Sequence, residues 1–257
     1  MTETQTDNSA DKVKKFSWYP GHIKLAEQEL KNKWLNLLDI VIELIDGRVP
    51  ISGQYPNREF WGNKKIIQVF THSDIADKDF LKKHFVNTLS INAHKPHEWK
   101  AKLSNLIKDN SLEIKEKLQN QGRRRKIRLG VCGLPNVGKS TFLNSLLKSG
   151  KKAQTGNQPG ITRRMQWVEG ADFDLLDSPG IMPLSVEFEI AYKLALCNLL
   201  PQKLFDLELL KDKLLIFLAT NYPDIHPKAY DLSLRMKAES FVKYFQDGKL
   251  GCICLDL

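Results

Sequence analysis

No stretch of this 257-residue chain approaches ~18 consecutive apolar residues, so no membrane-spanning helix is expected. Cysteine is scarce: Cys132, Cys197, Cys252 and Cys254 are the four, and they show no zinc-like spacing. This argues against a structural zinc centre or a disulfide framework and fits packed thiols in a reducing compartment. Residues 1–12 (MTETQTDNSADK) lack the apolar core of a secretion signal and any arginine-rich amphipathic pattern. A disordered tail and a cytoplasmic protein are expected. Acidic residues fall short of basic ones, 30 against 39, and the net charge of +9 suits a polyanionic partner. The excess gathers over residues 100–128, ending in Arg123, Arg124, Arg125 and Lys126, with Arg163 and Arg164 further on. Aromatic residues are not interleaved with these charges, which argues against stacking on single-stranded bases. Phosphate contact and a solvated linker face both stay open for the basic run.

What is present is more specific. Residues 133–140 (GLPNVGKS) match the phosphate-loop pattern G-x-x-x-x-G-K-[ST]. Ile127, Leu129 and Val131 alternate before it as in a strand, and Phe142, Leu143, Leu146 and Leu147 follow at helical spacing. A glycine turn between strand and helix points its N–H groups, and the helix's partial positive charge, at an anion. In that geometry Asn136, Val137, Gly138, Lys139, Ser140 and Thr141 surround a nucleotide's phosphates. Lys139 reaches the β- and γ-phosphates, and the Ser140 hydroxyl sits on Mg²⁺. The chain is expected to bind a nucleoside triphosphate.

Asp177-Ser178-Pro179-Gly180 follows the apolar run of residues 173–176, which puts a carboxylate at a strand end facing the phosphates. Such an aspartate holds a Mg²⁺-bound water, and the Gly180 N–H contacts the γ-phosphate. Thr162, in the polar loop between the two motifs, can complete the Mg²⁺ shell. A D-x-x-G segment alone is an ordinary turn; after a phosphate loop and a buried strand it indicates a switch GTPase. One usual part is missing. Ile181 stands where many GTPases carry a glutamine that orients the attacking water, and it can neither donate nor accept a hydrogen bond.

The base-recognition motif is absent downstream and present upstream. Residues 64–70 (KKIIQVF) read as a strand ending in Thr71-His72-Ser73-Asp74, an altered N-K-x-D motif. Asn92 and Ala93 then fall where a second base loop is expected. Base motifs precede phosphate motifs, which is the order of a circularly permuted GTPase domain. Together with Trp18-Tyr19-Pro20-Gly21-His22 and residues 46–50 (DGRVP), this resembles the YlqF/RbgA family of ribosome biogenesis GTPases. The likeness runs from about residue 18 to the C-terminus and is densest over residues 18–92 and 128–183.

The resemblance implies a GTP/GDP-binding, GTP-hydrolysing assembly factor of the large ribosomal subunit or its precursor. It implies contact with rRNA; no membrane contact and a monomer are expected beside it. His22 matches the family's P-G-H histidine, implicated in positioning the water; a structural cap at a helix start is the other reading of that residue. Asn136 matches an asparagine that supports K⁺ binding in potassium-stimulated relatives, or it simply braces the loop. A nucleotide-sensing module with little hydrolysis remains an alternative, prompted by the altered base motif and the missing glutamine. Asp46 and Arg48 read as an ordinary ion pair without chemistry.

The expected architecture is α/β: a parallel sheet flanked by helices over residues 13–184, then a small helical domain over 185–257. Residues 21–37 read as a helix and residues 38–45 as a strand covered on both faces. Trp99, Leu103, Leu106, Ile107, Ile114 and Leu118 fall on one side of a helix between Pro96 and Gln121. Residues 186–200, 203–220 and 229–245 read as three further helices, with Asn221-Tyr222-Pro223 and His226-Pro227 separating the last two. Cys252, Ile253 and Cys254 alternate as in a strand.

Overall fold

The structure, a computed structural model, describes residues 15–17, 21–86, 88–146, 166–169, 173–177 and 186–257. In chain order it runs β1 (Lys15–Phe16), α1 (Gly21–Glu29), β2 (Ile40–Asp46), β3 (Lys65–Thr71), α2 (Lys78–His84), β4 (Leu89–Ser90) and α3 (Pro96–Asn120). Then come β5 (Ile127–Gly133), α4 (Lys139–Leu146), β6 (Gln166–Glu169), β7 (Phe173–Asp177), β8 (Val186–Glu187) and α5 (Phe188–Leu196). Three helices close the chain: α6 (Leu207–Asn221), α7 (His226–Arg235) and α8 (Ala238–Gln246).

Six strands form one sheet in the order β4-β3-β2-β5-β7-β6, parallel throughout except for the antiparallel edge strand β6. β2 lies inside the sheet, and all seven of its residues are buried. Its near-continuous apolar sequence suits a strand covered on both faces. Ile42 stands between Ile67 of β3 and Val131 of β5 in register. From β2 the chain builds outward through β3 and β4, then returns to lay β5 on β2's other side, goes on to the edge strand β6 and comes back as β7 between β6 and β5. The strand order therefore reverses between β2 and β5. In parallel sheets a crevice opens at such a reversal, outside the carboxyl ends of the strands, and ligands bind there.

α3 covers one face, burying Trp99, Leu103, Ile107 and Leu118 with Leu106 and Ile114 partly buried beside them. Its Trp99 stacks on Phe142 of α4 with ring centroids 5.3 Å apart, seating the phosphate-loop helix on the bridging helix. The apolar cluster on this side of the sheet continues through α5, α6 and α8. Leu210, Leu214 and Leu218 of α6 meet Phe241, Val242 and Phe245 of α8 in that cluster.

Four expected elements differ from what forms. The helix of residues 21–37 is helical throughout but changes pitch, passing through a π turn at Leu30–Trp34 and a 3₁₀ turn at Leu35–Leu37 before β2. The helix expected from residue 186 begins at Phe188, because Val186 and Glu187 pair antiparallel with Phe16 and Lys15. It ends at Leu196 and is capped by Cys197, after which Asn198 turns left-handed (φ 60°) and the Leu199 N–H returns to Leu194 O, a helix-closing motif. The helix of residues 229–245 is two, broken at an extended Met236 and Lys237, so that both halves pack on α6. Pro227 does not separate helices; it stands in the first turn of α7, where a missing N–H costs nothing. Residues 252–254 form no strand: Ile253, Cys254 and Leu255 are buried in succession and bond to loops and a side chain instead.

Candidate functional site

β5 runs into the phosphate loop through Gly133, whose φ of 151° and closeness to β2 exclude a side chain; a Cβ there would lie 2.4 Å from Leu44 O. The loop then alternates anchors and turns. Leu134 and Val137 are buried, while Asn136 and Gly138 take positive φ values of 60° and 97°. Lys139 opens α4, and its Nζ donates to Gly133 O at 3.2 Å and Leu134 O at 2.8 Å, folding the ammonium back along the loop. Ser140 and Thr141 complete the helix's first turn, half-buried. The loop's backbone amides and the α4 N-terminus are gathered at one rim, the arrangement that binds phosphate.

The other motifs meet it at the same edge. Asp177 is the last residue of β7 and lies opposite Val131 of β5, one strand away from the loop's origin. A serine hydroxyl and an aspartate at that edge are hard oxygen donors of the kind Mg²⁺ takes alongside phosphate oxygens. The side chains of Asp177 and His22 lie outside the described residues, although both backbones are placed, in β7 and α1. Thr162 and Gly180 lie outside them altogether.

The base loop follows β3. Thr71 is buried and its hydroxyl donates to Ile45 O at 3.3 Å, so it braces the strand end rather than facing the crevice. Ser73 N–H bonds to Ile91 O, tying the loop to the segment after β4. Asp74 is exposed. Asn92 accepts the His94 N–H on its side chain at 2.9 Å, and Ala93 O accepts from Ser145 Oγ of α4 at 2.9 Å. Base loop, second base loop and phosphate helix are thus joined by hydrogen bonds.

Two links were not legible from the sequence. Asp46, fully buried at the end of β2, accepts from Arg48 N (2.9 Å), Nε (3.0 Å) and Nη2 (2.7 Å), and also stands 3.1 Å from His72 Nδ1. Burial alone would raise its carboxyl pKa, but Arg48, with help from His72, outweighs that and holds it well below the usual carboxylate range. The i, i+2 spacing after a strand was the only hint, and it pointed to the ion pair without the histidine. The second link runs through Asn136, whose Nδ2 donates to Asn198 O at 2.9 Å. Arg48 Nη2 reaches the neighbouring Cys197 O at 3.3 Å, and Gln246 Nε2 caps Leu196 O at 3.0 Å. The last carbonyls of α5 are therefore held by side chains from the phosphate loop, the β2 end and α8.

Three of the four thiols are inert in this setting. Burial pushes Cys254 up to about 12 and Cys132 and Cys197 well above the usual range, so all three stay protonated at neutral pH. Of the basic run, Arg123 and Arg124 are exposed, whereas Arg125 forms a two-pronged pair with Asp39 at 2.6 and 2.9 Å. Among the described residues no helix is long and apolar enough to cross a membrane.

Comparison with known proteins agrees with this geometry. The family described as "50S ribosome-binding GTPase" matches residues 128–229. Ribosome biogenesis GTPase A of Bacillus pumilus is 36% identical over 232 residues, covering 85% of this chain and 80% of that protein. The probable ribosome biogenesis GTPase A of Mycoplasma pneumoniae is 29% identical over 269 residues, covering 95% and 97% respectively. A crystal structure of GNP-bound YlqF from T. maritima superposes with a TM-score of 0.59 at 21% identity, covering 90% of this chain and 97% of that one. That likeness fixes the fold: a circularly permuted P-loop GTPase.

Proposed function

The chain belongs to the ribosome biogenesis GTPase A (YlqF/RbgA) family, and from that premise we propose that it times a step of large-subunit maturation by hydrolysing GTP on a pre-ribosomal particle. It is a GTP-hydrolysing enzyme and a ribosome assembly factor. The observation that carries the finer reading is the convergence of phosphate loop, D-x-x-G aspartate and base loops on one sheet edge, at the strand-order reversal.

In this reading Lys139 contacts the β- and γ-phosphates, with the loop's amides from Val137 to Thr141 around them. Mg²⁺ would be held by Ser140, Thr162 and, through water, Asp177, and when bound it neutralises charge growing on the transferred phosphoryl group. Gly180 N–H contacts the γ-phosphate, and the Asn136 side-chain oxygen is available to K⁺ while its nitrogen bonds to Asn198. Asp74 accepts from the N1–H and 2-amino groups of guanine, with Ser73, Asn92 and Ala93 beside the base. Because Ile181 offers no polar group, water positioning falls to His22 on α1.

The rRNA contact is assigned to Arg123 and Arg124, exposed after α3, acting on phosphates rather than bases. Co-sedimentation with large subunits under GDP and under a non-hydrolysable GTP analogue tests the partner: more protein should pellet with the analogue, and equal pelleting overturns the switching role. His22→Ala should lower particle-stimulated hydrolysis by about 10²-fold or more, leaving nucleotide affinity near wild type. Equal turnover of mutant and wild type would make His22 structural.

A further inference from the structure

Three heavy-atom contacts fix where the protons lie around His72. Thr71 Oγ1 lies 3.3 Å from Ile45 O and 3.0 Å from His72 Nδ1. A carbonyl has no proton to give, so the single hydroxyl proton goes to Ile45 O. The Thr71–His72 contact then needs its proton on Nδ1. Asp46 says the same: its Oδ2, ionised by the Arg48 pair and an acceptor only, stands 3.1 Å from that nitrogen. A bare Nδ1 would set two lone pairs against each other at hydrogen-bond distance. His72 is therefore the Nδ1–H tautomer, and Nε2 carries the free lone pair.

The backbone is fixed as firmly as the ring. His72 has φ 56°, a left-handed conformation uncommon for a residue with a side chain, and its carbonyl accepts from both Ile75 N and Ala76 N. About a third of the side chain stays exposed, two residues before Asp74. The charged and titratable groups around it are Asp46 and Arg48 from the end of β2, Asp74 from its own loop and, beyond Arg48, the protonated Cys197 thiol at the end of α5. From the closing segment, the Cys252 thiol contacts Asp74 O.

We infer that Asp46 is a positioning residue of the base loop: by holding Nδ1–H it presents the Nε2 edge of His72 to the nucleotide, where protonation supplies the positive charge a lysine would carry. The buried ion pair thereby acquires a role in ligand affinity. Protonated, the ring is a flat cation beside a purine face and a polyanion; neutral, it offers only its lone pair. Guanine-nucleotide affinity should thus rise as pH falls from 8 to 6. The inference rests on the reading that the loop after Thr71, residues 72–74, recognises guanine.

Titration of the intact chain with a fluorescent GDP analogue at pH 6, 7 and 8 tests it. Wild type should bind about 3- to 10-fold more tightly at pH 6 than at pH 8. His72→Lys should bind at both pH values as wild type does at pH 6, and His72→Gln weakly at both. The lysine variant also reports the titration of the nucleotide's own phosphate. Thr71→Val, which removes the hydroxyl but leaves Asp46, should keep the pH response; Asp46→Asn should diminish it. If the His72→Gln variant, at a half-buried position, follows the wild-type pH curve, the inference is overturned, whether or not Asp46→Asn folds. A folded Asp46→Asn with the full response overturns the positioning role. Long-range ¹⁵N–¹H spectra at pH 8 should show Nδ1 protonated and Nε2 bare; the opposite tautomer refutes the assignment. ADP binding as tight as GDP would instead remove the guanine reading, whereas a flat pH profile with GDP preference intact overturns this inference alone.

Discussion

At the residue scale, Lys139 shows how a cation is kept in place by the loop it serves. Its ammonium lies along two carbonyls of that loop, Gly133 and Leu134, so its position is set by backbone rather than by a flexible four-carbon stem. Lys139→Ala removes a charge-assisted contact worth about 1.5–3 kcal/mol, or roughly 10- to 150-fold in triphosphate affinity. Titration with a fluorescent GTP analogue measures it, and unchanged affinity would remove the phosphate-loop assignment. Asp74→Asn should shift preference from GTP toward XTP, because an amide donor suits the 2-oxo group that a carboxylate repels. Competition binding with GTP, GDP, ATP and XTP reads this out. Thr71 carries a different lesson. As a motif position it suggested a contact with the base, but its hydroxyl is spent on Ile45 O, a commitment set by the depth of the strand end.

At the scale of elements, the closing segment acts as a clasp on the base loop. Gly248 turns left-handed (φ 73°) after α8, and a Cβ there would fall 2.1 Å from Ile75 Cγ2. Ile253 N–H bonds to Ile75 O, and Leu255 N–H to Arg48 O. Gly248→Ala therefore meets both a backbone penalty and a clash, and should cost about 2 kcal/mol or more. Urea denaturation checks the stability, and GDP titration should show weaker binding as well, since Ile75 adjoins Asp74. Leu214→Ala on α6 is the contrasting case. It empties a fully buried site remote from the nucleotide loops and should cost about 2–5 kcal/mol while leaving GDP affinity unchanged. Periodicity located α3 and β5 well because each buries one regular stripe or run. It failed over residues 229–245, where the apolar pattern is continuous but the packing target, α6, is met by two short helices joined through the extended Met236 and Lys237.

At the scale of the whole molecule, charge has two tasks. Asp46 is held ionised in the folded state, with its pKa depressed. The stability it contributes is present above the unfolded aspartate value near 4 and is lost as pH falls below it. The urea midpoint should drop between about pH 5 and pH 3, and an acid-insensitive midpoint would mean that the pair does not hold the fold. Arg123 and Arg124 serve the second task, outward contact. Reversing both charges should weaken particle binding and flatten its salt dependence by about one unit of log–log slope per lost phosphate contact. Arg125 should be left out of that test, because its pair with Asp39 pins the start of β5 to the residue before β2, and Arg128 N–H bonds to the same carboxylate. Sedimentation at low and moderate salt separates the two effects.

The sequence by itself determined the nucleotide chemistry and the permuted order. Phosphate loops, D-x-x-G turns and base motifs are local: a few consecutive residues specify a backbone shape and the atoms it presents. For the same reason strands such as β2, whose run of apolar residues needs no partner to be recognised, were legible in advance. The tertiary structure decided what meets across the chain. Phe16 lies against Val186, Asn136 against Asn198, Arg48 against Cys197 and Gln246, and Asp46 against His72. Such contacts depend on the strand order that brings β2 between β3 and β5, and on where α5 ends. A side chain's spacing along the chain carries no information about a partner 25 or 150 residues away. That is why Asp46 and Arg48 read as a plain ion pair in the sequence and stand in the fold as the junction of both nucleotide loops.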